Sequence, residues 1–240
     1  AKIRPWLERL TTQYARIEVE GAQRVPAQGR VLLVVNHSRA PLWDGILLRN
    51  ALRLHHETSR VPRWLVDDQQ YHAPFLGTFV NRLGAVRACQ ENAERLLSRE
   101  ELVAVFPEGA NAAQRRYEDR HRLQRFGRGG IVKLALRTRT PVIPVGIVMC
   151  DHPEAVWRNR VSRASRLLGA PLLSVGPSWA RVGLLGLPPI ASHIRIRIGE
   201  PIRALERHDF EATRDDALVH ELNECVRDAV QELVDGALRA

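Results

Sequence analysis

Several common features are scarce in this chain of 240 residues, and each scarcity argues against a class of protein. Its three cysteines, Cys89, Cys150 and Cys225, are odd in number and far apart, so they favour a reducing compartment over a disulfide scaffold. No run of about 18 apolar residues occurs, which argues against an ordinary membrane-spanning helix. Aromatic residues make up only 5% of the chain and no nucleic-acid-binding motif is recognisable, so we expect no nucleic-acid partner.

Lysine is almost absent too, although the chain is strongly basic. The 36 Lys and Arg residues outnumber the 27 Asp and Glu residues, which gives a net charge of +9, and only Lys2 and Lys133 are lysines. Such a charge fits an anionic partner, whether nucleic acid, anionic lipid or a phosphorylated metabolite. It also fits a GC-rich genome, whose codons favour arginine over lysine. The net charge therefore does not choose a partner.

What the chain does contain is an alternation of short apolar runs with amphipathic segments. The spacing of apolar residues predicts strands at 16–20, 31–35, 63–66, 85–88, 102–106, 142–148 and 194–198. It predicts helices at 41–55, 74–82, 91–99, 130–138 and about 215–238, with Ile46, Ala51 and Leu54 facing inward in the first of them. This order predicts an α/β fold with a mixed, mostly parallel central sheet covered by helices on both sides. We expect residues 1–240 to form one domain, because no repeat or linker is visible.

Two segments outside this pattern are apolar on one side or throughout. Residues from about 1 to 15, with Trp6 and Leu7 on the same side, predict an amphipathic N-terminal helix. Residues 167–190 are apolar but interrupted by glycines and prolines, which is typical of an irregular segment. Each segment can pack on the core or rest on a membrane surface.

The segment Asn36-His37-Ser38-Arg39-Ala40-Pro41-Leu42-Trp43-Asp44-Gly45 lies between a buried strand and a helix. This is the edge of an α/β sheet at which sites usually form. A neutral His37 can act as a general base, and Asp44 can accept the other ring N–H and fix the tautomer. A histidine that caps the helix and an ordinary aspartate of its first turn fit the same residues.

Three further groups of residues are candidates for substrate binding. Phe106-Pro107-Glu108-Gly109 follows another buried strand, where the carboxylate can meet a substrate hydroxyl or simply cap a turn. In the segment from Gly77 to Arg82, the planar guanidinium of Arg82 can grip a phosphate. Arg128 lies in a glycine-rich turn that opens a predicted helix, which makes it a second candidate for an anion site.

Together and in this order, these segments resemble the four blocks of the glycerolipid acyltransferase family, which includes glycerol-3-phosphate and lysophosphatidate acyltransferases. The family blocks are Asn-His-x4-Asp, Gly-x-x-Phe-x-x-Arg or a close variant, Phe-Pro-Glu-Gly, and a strand with a central proline. The matching residues here are His37 with Asp44, Gly77 to Arg82, Phe106 to Gly109, and Pro144. The resemblance covers roughly residues 15 to 205 and implies the glycerolipid-acyltransferase fold.

One departure concerns the first block, because six residues separate His37 from Asp44 where the family usually has four. The longer spacing, with Pro41 ahead of the aspartate, looks more like a bacterial branch related to monoacylglycerol and diacylglycerol acyltransferases. The run from Phe126 to Leu136 is similar to that branch as well. Both a lysophosphatidate and a neutral glyceride therefore remain open as acceptors.

The resemblance implies an O-acyltransferase that moves a fatty acyl group from acyl-CoA or acyl carrier protein to a glycerolipid hydroxyl, with lysophosphatidate as the favoured acceptor. It implies His37 and Asp44 as catalytic residues, and Arg82, Glu108 and Gly109 as substrate-binding residues. Arg128, at its glycine-rich turn, is a further candidate for substrate binding. No metal and no cofactor beyond the thioester co-substrate are expected. The lipid substrates imply peripheral or monotopic attachment to the cytoplasmic face of a membrane. A non-catalytic basic module that binds anionic membrane or nucleic acid is the alternative from another class.

Overall fold

The computed structural model describes residues 16–38, 41–72, 76–109, 112, 118–149 and 193–239. In chain order the strands are β1 (Arg16–Glu20), β2 (Val31–Val35), β3 (Arg63–Val66), β4 (Val86–Arg87), β5 (Leu102–Val105), β6 (Val142–Met149) and β7 (His193–Ile198). The α-helices are α1 (Pro41–His55), α2 (Asp68–His72), α3 (Leu76–Leu83), α4 (Gln90–Ser98), α5 (Gly130–Thr138), α6 (Arg203–Glu206) and α7 (Asp216–Arg239). Short 3-10 helices lie at Ala22–Arg24 and Phe210–Arg214.

The seven described strands form one sheet in the order β1-β7-β6-β2-β5-β3-β4. Strands β6, β2, β5, β3 and β4 are mutually parallel, whereas β7 is antiparallel to β6 and parallel to the edge strand β1. The predicted mixed, mostly parallel sheet is therefore confirmed. Strand β1 has the alternating sequence of a half-exposed strand, which suits its place at the edge of the sheet.

Helices cover both faces of the sheet because the central strands are apolar on both sides. In β2, Val31, Leu33 and Val35 face the cluster that contains the apolar side chains of α1 and α3. Leu32 and Val34 face the opposite cluster, which contains those of α4, α5 and α7. All five residues of β2 are fully buried, as expected for a central strand of a parallel sheet.

The ends of the helices differ most from the sequence predictions. The structure has two helices, α2 and α3, around the helix predicted at 74–82, and α7 where one is predicted at about 215–238. Leu54 was expected to face inward but is 47% exposed, so this prediction is wrong. The buried side chain at this end of α1 is that of His56, the next residue after the helix. Its Nε2 lies 2.8 Å from the carbonyl oxygen of Val25. The helix predicted at 1–15 and the segment 167–190 lie outside the described residues.

The strands β2 and β5 are neighbours in the sheet, but the chain that follows each of them crosses to a different face. Helix α1 follows β2 on one face, and the chain after β5 reaches α5 on the other face. Such a reversal opens a crevice at the carboxyl ends of the two strands, where α/β proteins bind their ligands. None of the described helices is both long enough and apolar enough to cross a membrane.

Candidate active site

His37 and Asp44 lie together at the carboxyl end of β2. Asp44 is in the first turn of α1, and its Oδ2 lies 3.0 Å from Nδ1 of His37. The aspartate is fully buried and the histidine is 7% exposed. When Nδ1 carries the proton it donates to Asp44, which leaves the lone pair of Nε2 as the basic site of the ring. The six intervening residues therefore do not prevent the contact that the sequence predicts.

Ser38 supplies two further donors to the same carboxylate. Its backbone N–H donates to Asp44 Oδ2 at 3.0 Å, and its hydroxyl donates to Oδ1. Asp44 thus accepts hydrogen bonds from a ring nitrogen, a backbone amide and a hydroxyl. Three donors from two consecutive residues fix the orientation of the carboxylate relative to the imidazole.

Phe106, the residue after β5, packs against the face of the imidazole. The two rings are stacked, with centroids 4.7 Å apart and planes inclined by 12°. This contact restricts rotation of the histidine ring about its side-chain bonds. The stack is possible because β2 and β5 are hydrogen-bonded neighbours, so the residues that follow them meet at one edge.

Glu108 holds the backbone of His37 instead of its ring. Its side chain lies inside the protein, with the residue only 2% exposed. Oε2 accepts the backbone N–H of His37 at 2.9 Å, and Oε1 accepts the backbone N–H of Gln124 at 2.8 Å. The carboxylate therefore joins the end of β2 to the loop that precedes α5.

Asn36 extends the pairing of β2 with β6 beyond the last strand residues. Its Nδ2 donates to the carbonyl of Ile147 at 2.9 Å, and its Oδ1 accepts the N–H of Ile147 at 2.7 Å. The side-chain amide thereby takes the place of a peptide group in the ladder after the Val35–Val145 pair. It fixes the residue directly before His37.

His37, Ser38, Asp44 and Glu108 form one hydrogen-bonded cluster. The other predicted site residues are Gly109, beside this cluster, and Arg82 and Arg128, which are not bonded to it in the described part of the chain. Gly109 follows Glu108 in a tight turn, in which its N–H donates to the carbonyl of Phe106 at 3.2 Å and its φ is +54°. Arg82, in the last turn of α3, and Arg128, ahead of α5, are both exposed. Within the described ranges neither arginine forms a hydrogen bond or ion pair with the cluster. The substrate-binding roles of these residues stay predictions.

The structure brings together His37, Asp44 and Glu108, and adds contacts that sequence reasoning missed. No N-cap signal identifies Ser38, because it lies three residues ahead of α1 and its hydroxyl donates to the carboxylate of Asp44. No sequence signal identifies Gln124, because the donor is its backbone N–H. In the part of the chain that the structure covers, no group of three or more His, Cys, Asp or Glu side chains is placed to hold a metal ion.

Comparison with known proteins gives matches at the levels of family, sequence and fold. A profile of the acyltransferase family matches residues 16–148, which is more than half of the chain. An uncharacterized protein of Mycobacterium tuberculosis is 37% identical over 233 residues, and one of Mycobacterium leprae is 39% identical over 234 residues. These matches cover 97% of this chain, which spans 64% and 63% of the lengths of the two relatives.

Among solved structures, the fold is similar to that of the 1-acyl-sn-glycerophosphate acyltransferase PlsC from Thermotoga maritima. The TM-score is 0.50, the sequence identity is 17%, and the superposition covers 95% of this chain and 79% of that one. At this identity the likeness concerns the fold.

Proposed function

Because the chain belongs to the acyltransferase family, we propose that it transfers a fatty acyl group from acyl-CoA or acyl carrier protein to a hydroxyl of a glycerolipid. The observation that carries this proposal is the His37–Asp44 pair, whose Nδ1 and Oδ2 are 3.0 Å apart at the carboxyl edge of the sheet. A histidine whose Nδ1 is held by a buried carboxylate has the tautomer and the orientation that a general base needs at Nε2.

In the proposed reaction Nε2 of His37 removes the proton of the acceptor hydroxyl as the oxygen attacks the thioester carbonyl. A C–O bond forms, the C–S bond breaks, and the imidazolium returns the proton to the departing sulfur. Asp44 stabilises the imidazolium between these two transfers. No covalent acyl-enzyme is required, because the acceptor oxygen attacks the thioester directly.

The favoured acceptor is lysophosphatidate, and Arg82 and Arg128 are the candidate partners for its phosphate. Both arginines are exposed, and neither pairs with an acid of the described chain. An arginine fork binds phosphate through two parallel hydrogen bonds, so either residue suits this role. Gly109 lies beside the cluster, and among the described residues no atom lies within 4 Å of the position that a Cβ would take there, which suits a place for the acceptor.

A monoacylglycerol or diacylglycerol is the second candidate acceptor, favoured by the six-residue spacing between His37 and Asp44. Such an acceptor carries no phosphate, so its transfer would not depend on Arg82 or Arg128. In both cases the lipid substrates place the protein at the cytoplasmic face of a membrane, attached peripherally or monotopically, where the net charge of +9 favours anionic headgroups.

The test offers the purified protein acyl-CoA or acyl carrier protein together with lysophosphatidate, glycerol-3-phosphate or monoacylglycerol. We expect the fastest transfer to lysophosphatidate and a loss of about 10²- to 10⁴-fold in His37→Ala, since this is what a general base contributes. His220→Ala, which removes an exposed histidine of α7, is the matched control and should keep full activity.

The possible outcomes separate the candidate functions. Transfer to monoacylglycerol alone would establish the second acceptor, and absence of transfer to every acceptor would overturn the enzyme proposal. If the protein is instead a basic binding module, wild type and His37→Ala should bind anionic vesicles or nucleic acid with the same affinity. That affinity should fall steeply as the salt concentration rises.

A further inference from the structure

We propose that Glu108 is a positioning residue, which acts on catalysis by holding the backbone of His37 against a fixed loop instead of contacting the acceptor. This inference rests on the proposed function in one respect, namely that His37 is the base. It assigns to Glu108 a role different from the substrate-binding role that the family resemblance implies.

The carboxylate of Glu108 is bonded to the backbone at both of its oxygens. Both oxygens of Glu108 accept backbone N–H groups, from His37 at 2.9 Å and from Gln124 at 2.8 Å, and the residue is 2% exposed. Charge-assisted hydrogen bonds of this kind are stronger than those between neutral groups. Both of these bonds end at backbone N–H groups, and the burial of the residue leaves its carboxylate little exposed surface for an acceptor hydroxyl.

The loop that contains Gln124 is itself anchored to α7. Gln231 of α7 accepts the N–H of Leu123 at 2.8 Å and donates to the carbonyl of His121 at 2.9 Å. Asn223, one of the buried residues of α7, donates to the carbonyl of Phe126 at 2.6 Å. Gln124 therefore lies in a segment that α7 fixes on both sides. Glu108 links the backbone of this segment to the backbone of His37.

Glutamine cannot replace Glu108 in both of its hydrogen bonds. A glutamine at position 108 has one acceptor oxygen and one NH₂ donor, whereas two N–H donors face the side chain. Whichever way the amide turns, one backbone donor meets another donor. Glu108→Gln therefore disturbs the support of His37 while keeping the size of the side chain.

We expect Glu108→Gln to lower kcat about 10- to 100-fold, the effect of misplacing a catalytic group by a fraction of an ångström to one ångström, with little change in the KM for the acceptor. The control is Glu118→Gln, which changes an exposed glutamate in the loop between Glu108 and α5. This variant should leave kcat and the KM for the acceptor unchanged. A raised KM with wild-type kcat would show that Glu108 contacts the acceptor and would overturn the proposal, as would wild-type values of both parameters.

A second readout does not depend on acyl transfer, so it separates this proposal from the proposed function. In ¹⁵N-labelled protein, NMR should show that the backbone amides of His37 and Gln124 exchange faster in Glu108→Gln than in wild type, because the variant has no acceptor for one of the two N–H groups. The wild-type amide protons of His37 and Gln124 should exchange slowly, a measurement that requires no variant to fold. Rapid exchange of these two amides in wild type, or unchanged exchange in Glu108→Gln, would overturn the positioning role even in an active enzyme.

Discussion

At the scale of single residues, the contacts of Asp44 explain how a longer first block still forms a histidine–aspartate pair. Pro41 begins α1, so Asp44 enters the first turn of the helix and points back toward the end of β2. The backbone N–H and the hydroxyl of Ser38 donate to the carboxylate of Asp44, beside the ring of His37. The longer spacing therefore does not separate the pair.

Asp44→Asn should remove the charge of this site while keeping its geometry. The amide oxygen can replace Oδ2 and accept from His37 and Ser38, and the NH₂ group can replace Oδ1, because the hydroxyl of Ser38 accepts as readily as it donates. The imidazolium then lacks its counter-charge, so we expect kcat/KM to fall about 10²- to 10⁴-fold with a nearly unchanged melting temperature. Steady-state kinetics and thermal unfolding measure the two effects.

Asp44→Ala is the contrasting variant, because it leaves the buried donors of His37 and Ser38 without an acceptor. We expect it to lose activity and also about 1–3 kcal/mol of stability. If Asp44→Asn and His37→Ala both kept full activity in thioester-dependent transfer, the assignment of His37 as the base would be wrong.

At the scale of elements, the distance between α1 and the sheet depends on a glycine. Gly45, the residue after Asp44, lies against the indole ring of Trp64 in β3, and a Cβ built at Gly45 would come within 2.6 Å of the ring atom Cγ. Trp64 is 2% exposed and has little room to move. Any side chain at position 45 must therefore displace the first turn of α1, which carries Asp44.

Gly45→Ala should consequently damage both stability and activity. We expect a loss of about 1–3 kcal/mol, the usual cost of overpacking a buried site, and a lower kcat because Asp44 moves relative to His37. Gly130→Ala is the matched control, because Gly130 begins α5 and no atom of the described ranges lies within 4 Å of the place that a Cβ would occupy there. Alanine is a better helix former than glycine, so the control should be neutral or slightly stabilising. Urea unfolding measures the stability of the two variants, and acyl-transfer rates measure their activity. Equal stability and equal activity of Gly45→Ala and Gly130→Ala would contradict the close packing of Gly45 on Trp64.

Sequence alone predicts the elements well but not how they are arranged around the site. The apolar run of β2 and the alternating run of β7 identify strands, because burial on two faces or on one leaves a distinct pattern. The stack of Phe106 on His37 could not be predicted in this way, since it requires that β2 and β5 be neighbours. The bond from Gln124 to Glu108 leaves no pattern at all, because any residue except proline offers the same backbone N–H.

At the scale of the whole molecule, the edge of the sheet opposite the candidate site is held by charged side chains. Glu100, between α4 and β5, accepts the backbone N–H of Arg30 at 2.9 Å and pairs with its guanidinium just before β2. Arg60, which precedes β3, donates to the carbonyls of Pro26 and Gly29 and, at 3.3 Å, to that of Glu100. These bonds fix the starts of three parallel strands, and therefore help to set where β2 and β5 end beside the candidate site.

Glu100→Gln should weaken this edge in a manner that depends on pH. The side-chain and backbone hydrogen bonds from Arg30 lower the pKa of Glu100 below the ordinary value of a glutamate. Stabilisation from a lowered pKa is complete above the ordinary value, about 4.3, and is lost as the pH falls through the lower folded value. The variant should therefore unfold at less urea than wild type at pH 7, with a difference that shrinks toward about pH 3. Glu57→Gln, another exposed glutamate, should show no difference at either pH. Glutamine still accepts from the N–H of Arg30, so a difference independent of pH would mean that shape and not charge holds the strand starts together.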